Sequence, residues 1–189
     1  MENLVSVTLS NPAFQSGHPW VSLAELSGDM PEVASVVTLL NSEGEALGSG
    51  LFDPYDVARA WRRFSMAGGV HFDNSYIGTA IHDALSRRSD ESCQRLIASD
   101  ADYLPGLEVE LYDGILTIRS EHSVVDSAMD EIVACLQEAC EPKEIVLFKE
   151  GGARTLSGQN LKARWIEVDG LSYRLDLFNT DKPSFFLDQ

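Results

Sequence analysis

The chain has 189 residues, of which 44% are hydrophobic, and it carries 14 basic against 30 acidic residues, a formal net charge of −16. This length and apolar content are enough to bury the core of one large domain or two small ones. The charge excludes a broadly basic surface that binds nucleic acid by neutralising phosphates, so any such contact must be local.

The N-terminus and the cysteines predict a cytoplasmic protein. Residues 1–4 lack a basic leader region, and no apolar run reaches the ~18 residues that a membrane span needs. Cys93, Cys135 and Cys140 contain no Cys-x-x-Cys pair, which argues against a disulfide framework or a zinc knuckle. We therefore expect reduced cysteines and no bound metal.

The first part of the chain predicts a small, mostly β module over residues 1–70. A short helical turn is expected near residues 23–26. Apolar, β-branched runs separated by turn residues predict strands over residues 33–40, 46–52 and 57–64. Gly48 and Gly50 stand inside the second of these strands, where they favour a bulge over a phosphate cradle.

The second part predicts an α+β domain over residues 74–178. Residues 73–75 offer capping oxygens for a helix over residues 76–88, and apolar residues at helical spacing predict another over residues 123–139. The strands are predicted over residues 93–98, 107–111, 115–119, 145–148, 164–168 and 171–177. Asp-Gly pairs between two pairs of these strands indicate hairpins. We expect a helix packed on an antiparallel sheet, followed by a tail over residues 179–189.

One predicted strand carries the densest positive charge of the sequence. Strand alternation places Arg59, Trp61 and Arg63 on one face and Arg62 on the other. An arginine-aromatic-arginine strip suits unpaired or looped RNA. Neutralisation of neighbouring acidic residues such as Asp56 by these arginines is an equally good interpretation.

Two further groups of residues have both a functional and a structural interpretation. His18 and Trp20 can stack on a base or touch phosphate, although we favour a turn at Pro19 with Trp20 packed into the β module. The acidic residues around a later turn can be a metal or acid-base cluster, although a solvated acidic edge is the commoner outcome. They are Asp100, Asp102, Glu108 and Glu110.

Four short motifs, in order, carry a resemblance to a known family. They are His18-Pro19-Trp20-Val21, residues 47–54 (Leu-Gly-Ser-Gly-Leu-Phe-Asp-Pro), Leu104-Pro105-Gly106-Leu107 with Tyr112 following, and residues 182–189 (Lys-Pro-Ser-Phe-Phe-Leu-Asp-Gln). Together they resemble the S-adenosylmethionine-dependent 23S rRNA cytosine-5 methyltransferases that carry an N-terminal PUA domain. Within this likeness, residues 149–151 and 183–184 depart from the family's motifs.

The resemblance implies a domain architecture and assigns catalysis to a separate domain. It implies a PUA-like β-barrel, then a small α+β middle domain, with residues 179–189 resembling the linker into a Rossmann-like catalytic domain that is absent here. The family's cysteine nucleophile and its S-adenosylmethionine site belong to that catalytic domain, and none of the three cysteines here matches them. We therefore expect no catalytic residue and no cofactor in this chain. The resemblance also implies that Arg62 or Arg63 corresponds to an arginine that the family carries on this strand.

Two functional hypotheses follow. The first is the rRNA-recognition portion of an rRNA cytosine-5 methyltransferase-like protein, catalytically inert alone. Its predicted RNA contacts are His18, Trp20, Arg59, Trp61, Arg62 and Arg63. The negative charge opposes such binding. The second is an acidic, non-catalytic relative that acts as a protein-binding or regulatory module, through a protein partner or a homodimer; no membrane contact is expected.

Overall fold

The fold is known from a computed structural model, which describes residues 5–11, 17–149, 152–158, 164–168 and 170–176. The predicted tail over residues 179–189 lies outside them. Six of the described strands form a nearly closed barrel in the order β2-β6-β5-β4-β1-β3. They are β1 (Val5–Leu9), β2 (Trp20–Val21), β3 (Leu26–Ser27), β4 (Ser35–Leu40), β5 (Ala46–Phe52) and β6 (Trp61–Ser65). A 3-10 turn, Leu23–Glu25, lies where a helical turn was predicted.

The strand predicted over residues 57–64 begins later than expected, at Trp61. The residues before it form a loop because two aspartates turn the chain: Asp53 accepts a hydrogen bond from the backbone N–H of Tyr55, and Asp56 accepts one from that of Arg59. A bulge in β5 is confirmed next to Gly48, where Leu47 has no partner on β4. The register also shifts at Gly50, but there the extra residue is Phe64 of β6. A methyl group at Gly50 would overlap the Trp61 indole.

A second sheet has the order β11-β10-β9-β8-β7. Its strands are β7 (Cys93–Ala98), β8 (Leu107–Tyr112), β9 (Ile115–Ser120), β10 (Glu144–Lys149) and β11 (Gly152–Ser157). The prediction of a wholly antiparallel sheet is wrong for one pair, because β9 and β10 run parallel. They are joined by a helical crossover, and parallel neighbours require such a connection. A hairpin, β12 (Arg164–Val168) and β13 (Leu171–Leu175), packs through Ile166 and Leu175 against this sheet.

Three helices occur in the described part of the chain: α1 (Asn74–Ser86), α2 (Ser123–Ser127) and α3 (Met129–Cys140). The side chain of Asp73 caps α1 by accepting from the N–H of Tyr76 at 3.0 Å, as the sequence predicts. The single helix predicted over residues 123–139 is interrupted at Ala128, whose backbone leaves the helical region. No described helix combines the length and the apolar character that a membrane crossing requires.

The largest apolar core joins the barrel to the second sheet. Leu51 of β5 and Phe64 of β6 pack in one cluster with α1, α3 and the strands of the second sheet. A separate cluster fills the barrel, where Trp61 packs with Val37 and Leu39. The two faces of β6 therefore pack into different apolar cores, one inside the barrel and one between the barrel and the second sheet.

His122 caps α2 from a buried position. Its Nδ1 accepts from the N–H of Val124 at 3.2 Å, while its Nε2 is buried without a hydrogen-bond partner among the described residues. Burial lowers the pKa of His122 below its usual 6.5, with charges on Asp53, Arg62, Asp126 and Asp56 as smaller influences. The folded protein therefore holds this imidazole neutral.

The free energy of unfolding should fall as the pH drops below about 6.5, because the unfolded chain then binds a proton that folded His122 resists. The expected slope is up to about 1.4 kcal/mol per pH unit and flattens below the lowered pKa. Urea unfolding of His122→Asn, which keeps a capping oxygen, should lose this slope. The exposed control His82→Asn should keep it; an unchanged slope in His122→Asn would contradict the assignment.

Candidate nucleic-acid interface

Trp61 lies inside the barrel rather than on its surface. Its side chain is fully buried, and its indole Nε1 donates to the carbonyl oxygen of Val37 at 3.1 Å. Bulky aromatic residues in such positions contribute mainly through burial and packing. The expectation that Trp61 is exposed on a strip is therefore wrong, because β6 lies between β2 and β5 and its inner face closes the barrel.

Arg63 is also buried and holds the segment that precedes β2. Its guanidinium lies 5.4 Å from the centroid of the Trp61 ring, and its Nη1 donates to the carbonyl oxygen of His18 at 2.9 Å. Burial lowers the pKa of Arg63, although a guanidinium stays charged in proteins. Arg63 therefore fixes the position of the backbone at His18, two residues before Trp20.

Arg62 points the other way, as strand alternation predicts, but towards the second sheet instead of solvent. Its side chain is 3% exposed and binds Asp100 through two nitrogens, with Nε donating to Oδ1 at 3.0 Å. Its Nη2 also donates to the hydroxyl of Ser99 at 2.8 Å. Both partners lie in a 3-10 turn, Ser99–Asp102, that follows β7. The ion pair therefore ties the barrel to the second sheet.

Arg59 is the one member of the predicted arginine strip that reaches solvent, with a side chain 40% exposed. It lies in the loop before β6 and donates to Asp56 at 3.1 Å, which is the neutralising role considered from the sequence. Glu121 lies 3.8 Å away. The strip as a continuous exposed surface is therefore wrong, while RNA binding by these residues stays a prediction.

His18 and Trp20 lie on the surface at the edge of the barrel. The favoured interpretation that Trp20 packs into the β module is wrong: β2 is an edge strand, and Trp20 is 38% exposed. The rings of His18 and Trp20 meet edge to face with centroids 5.1 Å apart. His18 Nδ1 lies 2.7 Å from the carbonyl oxygen of Trp20.

Three of the four acidic residues singled out around residues 100–110 form ion pairs, including Asp100 with Arg62. Asp102 is buried and pairs with Arg87 and Arg88, and Glu110 pairs with Arg95. The expectation of a solvated acidic edge is therefore wrong for Asp102 and Glu110. Within the ranges that the structure describes, His, Cys, Asp and Glu side chains form no group of three that could hold a metal ion.

A cavity of about 540 Å³ opens between the barrel edge and the 3-10 turn after β7, and we call it the inter-sheet cavity. It is lined by Gly17, Pro19, Trp20, Arg63, Met66, Asp100, Ala101 and Tyr103. Two of the six predicted site residues, Trp20 and Arg63, therefore meet at one place. Sequence reasoning missed Met66 and Tyr103, both of them exposed, because no motif links these separate segments.

Tyr103 is held in place by its backbone. It has a left-handed conformation with φ of 58°, and its N–H donates to the backbone carbonyl oxygen of Asp100 at 3.3 Å to close the turn. The hydroxyl of Tyr76 lies 2.8 Å from the carbonyl oxygen of Tyr103 and is also within reach of that of Phe64. Burial raises the pKa of Tyr76, so its hydroxyl stays a donor. The wall of the cavity at Tyr103 is therefore anchored to α1 and β6.

Comparison with known families gives a class for the barrel. Residues 10–62 match the family model of the PUA-like domain. This range ends within β6 and contains most of the described barrel. The PUA-like part of the predicted resemblance is confirmed.

Comparison with curated proteins extends the likeness to most of the chain. Ribosomal RNA large subunit methyltransferase I of Alteromonas mediterranea is 26% identical over 191 residues, which cover 91% of this chain and 48% of that protein. The protein of the same name from Photobacterium profundum is 26% identical over 193 residues, with the same coverage. The chain thus spans about half the length of the curated relatives that it matches.

Solved structures share the fold. One, from Streptococcus mutans and described as a SAM-dependent methyltransferase, gives a TM-score of 0.84 at 19% identity over 98% of this chain and 52% of that chain. A second, described as a methyltransferase complexed with SAH, gives a TM-score of 0.84 at 18% identity. At this identity the likeness concerns the fold alone.

Proposed function

We propose that this chain binds RNA as the recognition portion of an rRNA cytosine-5 methyltransferase-like protein acting on 23S rRNA. The carrying observation is the similarity to rRNA large subunit methyltransferases over 91% of the chain, together with the PUA-like match at residues 10–62. Residues 1–70 form the PUA-like domain and residues 74–178 the α+β middle domain in this proposal. Exposed aromatic residues around the inter-sheet cavity support an RNA surface there.

Methyl transfer belongs, in this proposal, to the part of the relatives that the chain does not match. S-adenosylmethionine would supply the methyl group there. The purified chain should therefore transfer no label from a radiolabelled methyl donor to rRNA, and transfer would overturn this part of the proposal.

RNA binding by this chain should depend only weakly on salt, because 30 acidic residues outnumber 14 basic ones and limit the number of phosphate contacts. Arg59 is the strongest candidate for a phosphate contact, since half-exposed arginines can exchange a carboxylate partner for phosphate. Arg59→Ala should lower the slope of log K against log salt by about 0.7–0.9 without changing base preference. Filter binding of 23S rRNA fragments between 50 and 200 mM salt measures this slope.

The exposed Lys143 provides a matched control for this experiment. It pairs with Asp113 in the turn between β8 and β9, away from the inter-sheet cavity, and Lys143→Ala should leave the slope unchanged. Equal slopes for the wild type and Arg59→Ala would remove Arg59 from the interface. Replacing Arg62 or Arg63 is unsuitable here, because both are buried and their loss would disturb the fold.

The net charge of −16 favours a second candidate, a module that binds a basic protein. Retention of purified basic ribosomal proteins, with no binding of rRNA fragments at physiological salt, would support this candidate and contradict the first. A homodimer would appear as a concentration-dependent mass in sedimentation. RNA binding by the monomer would exclude both as the main function.

A further inference from the structure

We propose that the inter-sheet cavity receives one unpaired nucleobase that carries an exocyclic amino group. This inference rests on the proposed function in RNA binding and names what that surface reads. The cavity volume of about 540 Å³ lies within the roughly 300–1,000 Å³ typical of small-ligand sites. The base enters from a single-stranded or looped region, since a paired base cannot leave its duplex cheaply.

Three exposed apolar side chains meet at the cavity although they come from separate segments. Trp20 belongs to β2, Tyr103 follows the 3-10 turn and is 47% exposed, and Met66 follows β6. Large apolar side chains are unfavourable in water, and aromatic faces provide stacking platforms for any base. Their convergence supplies the stacking surface.

The cavity walls are positioned before any ligand arrives. Trp20 pairs with Arg62 across β2 and β6, and Arg63 holds the carbonyl of His18 just before it. The Tyr103 carbonyl lies within hydrogen-bonding distance of the Tyr76 hydroxyl. Because these contacts order the walls beforehand, binding loses little conformational entropy.

Asp100 supplies the polar specificity. Its Oδ1 accepts from Arg62 Nε, and its Oδ2 accepts from Arg62 Nη2 and from the Ser99 hydroxyl. A carboxylate offers about four acceptor positions, so Oδ1 keeps capacity for one more donor. The amino groups of cytosine, adenine and guanine can fill it, and acidic side chains accept from the N4 amino group of cytosine. Uracil has no amino group, and two carbonyl oxygens flank its ring N–H.

Charge around the cavity favours a neutral base over a basic protein side chain. The Asp100 carboxylate is paired with Arg62, so it presents a hydrogen-bond acceptor rather than a free charge to the cavity. The Arg63 guanidinium lines the same cavity and repels a lysine or arginine side chain from a protein partner. An uncharged ligand with a flat face and an amino donor suits both groups.

The test compares fluorescein-labelled pentanucleotides of cytidine, adenosine and uridine by fluorescence anisotropy. The wild-type chain should bind the cytidine and adenosine oligomers about tenfold more tightly than the uridine oligomer. Trp20→Ala and Tyr103→Ala should each weaken binding of the cytidine oligomer by about tenfold. Tyr103→Phe, which keeps the ring, should retain affinity, and both alanine variants should melt like the wild type because the side chains are exposed.

Trp165→Ala is the matched control, because Trp165 is an exposed tryptophan that does not line the cavity. Equal affinity for all three oligomers, or Trp20→Ala and Tyr103→Ala binding like the control, would overturn the inference. The inference would also be overturned, in favour of a protein ligand, if the wild-type chain bound a tetralysine peptide and Trp20→Ala and Tyr103→Ala abolished that binding. If the cavity inference failed in one of these ways but the chain still bound 23S rRNA fragments, the proposed function would stand. If the wild-type chain bound no RNA at all, the proposed function and the cavity inference would both be overturned.

Discussion

Replacing Arg62 by Ala is expected to lower the free energy of unfolding by about 3–5 kcal/mol. The substitution leaves Asp100, whose side chain is only 14% exposed, without the guanidinium that neutralises it. It also removes the bond to Ser99 that ties the barrel to the turn after β7. Urea unfolding near neutral pH, followed by circular dichroism, measures this loss.

Two further variants make the assignment specific. Arg59→Ala removes an arginine three residues earlier that forms an exposed pair, so it should cost no more than about 1 kcal/mol. The double variant Arg62→Met with Asp100→Leu replaces the pair by apolar groups and should recover much of the loss. If Arg62→Ala were as stable as Arg59→Ala, the Arg62–Asp100 ion pair would not contribute to the stability of the fold.

The second large effect concerns the barrel core. Trp61→Ala should cost about 3–5 kcal/mol, because it leaves a cavity among Val37, Leu39 and Phe52 and a carbonyl oxygen at Val37 without its donor. Trp165→Ala, at a tryptophan 69% exposed on the β12–β13 hairpin, should change stability by less than about 0.5 kcal/mol. Comparable losses at the two positions would contradict the placement of Trp61 inside the barrel.

The sequence predicted elements best where local chemistry marks both ends. β5 begins after a glycine-containing turn and ends before Asp53-Pro54, and its observed bounds are those predicted. β1, β2, β3 and β11 were not predicted; β2 and β3 are two residues each and too short to show any period. The parallel pairing of β9 and β10 depends on a crossover through α2 and α3, which strand patterns alone do not reveal.

The candidate site was only partly predictable, for a geometric reason. Alternation correctly separated Arg62 from Trp61 and Arg63, but it cannot tell which face of a strand meets water once a barrel closes on one side and a second sheet covers the other. Tyr103 joins Trp20 only through the folding of segments about 80 residues apart. A local sequence pattern cannot predict a contact between segments so far apart in the chain.

The apolar cluster that contains Leu51 and Phe64 has a consequence for how this protein could be divided. A barrel excised at residue 70 would expose both side chains to water, and the α+β layer would lose the surface that covers part of α1. The excised barrel should therefore be less stable than the barrel within the whole chain. Substitutions on one side of this junction are expected to call for compensating changes on the other.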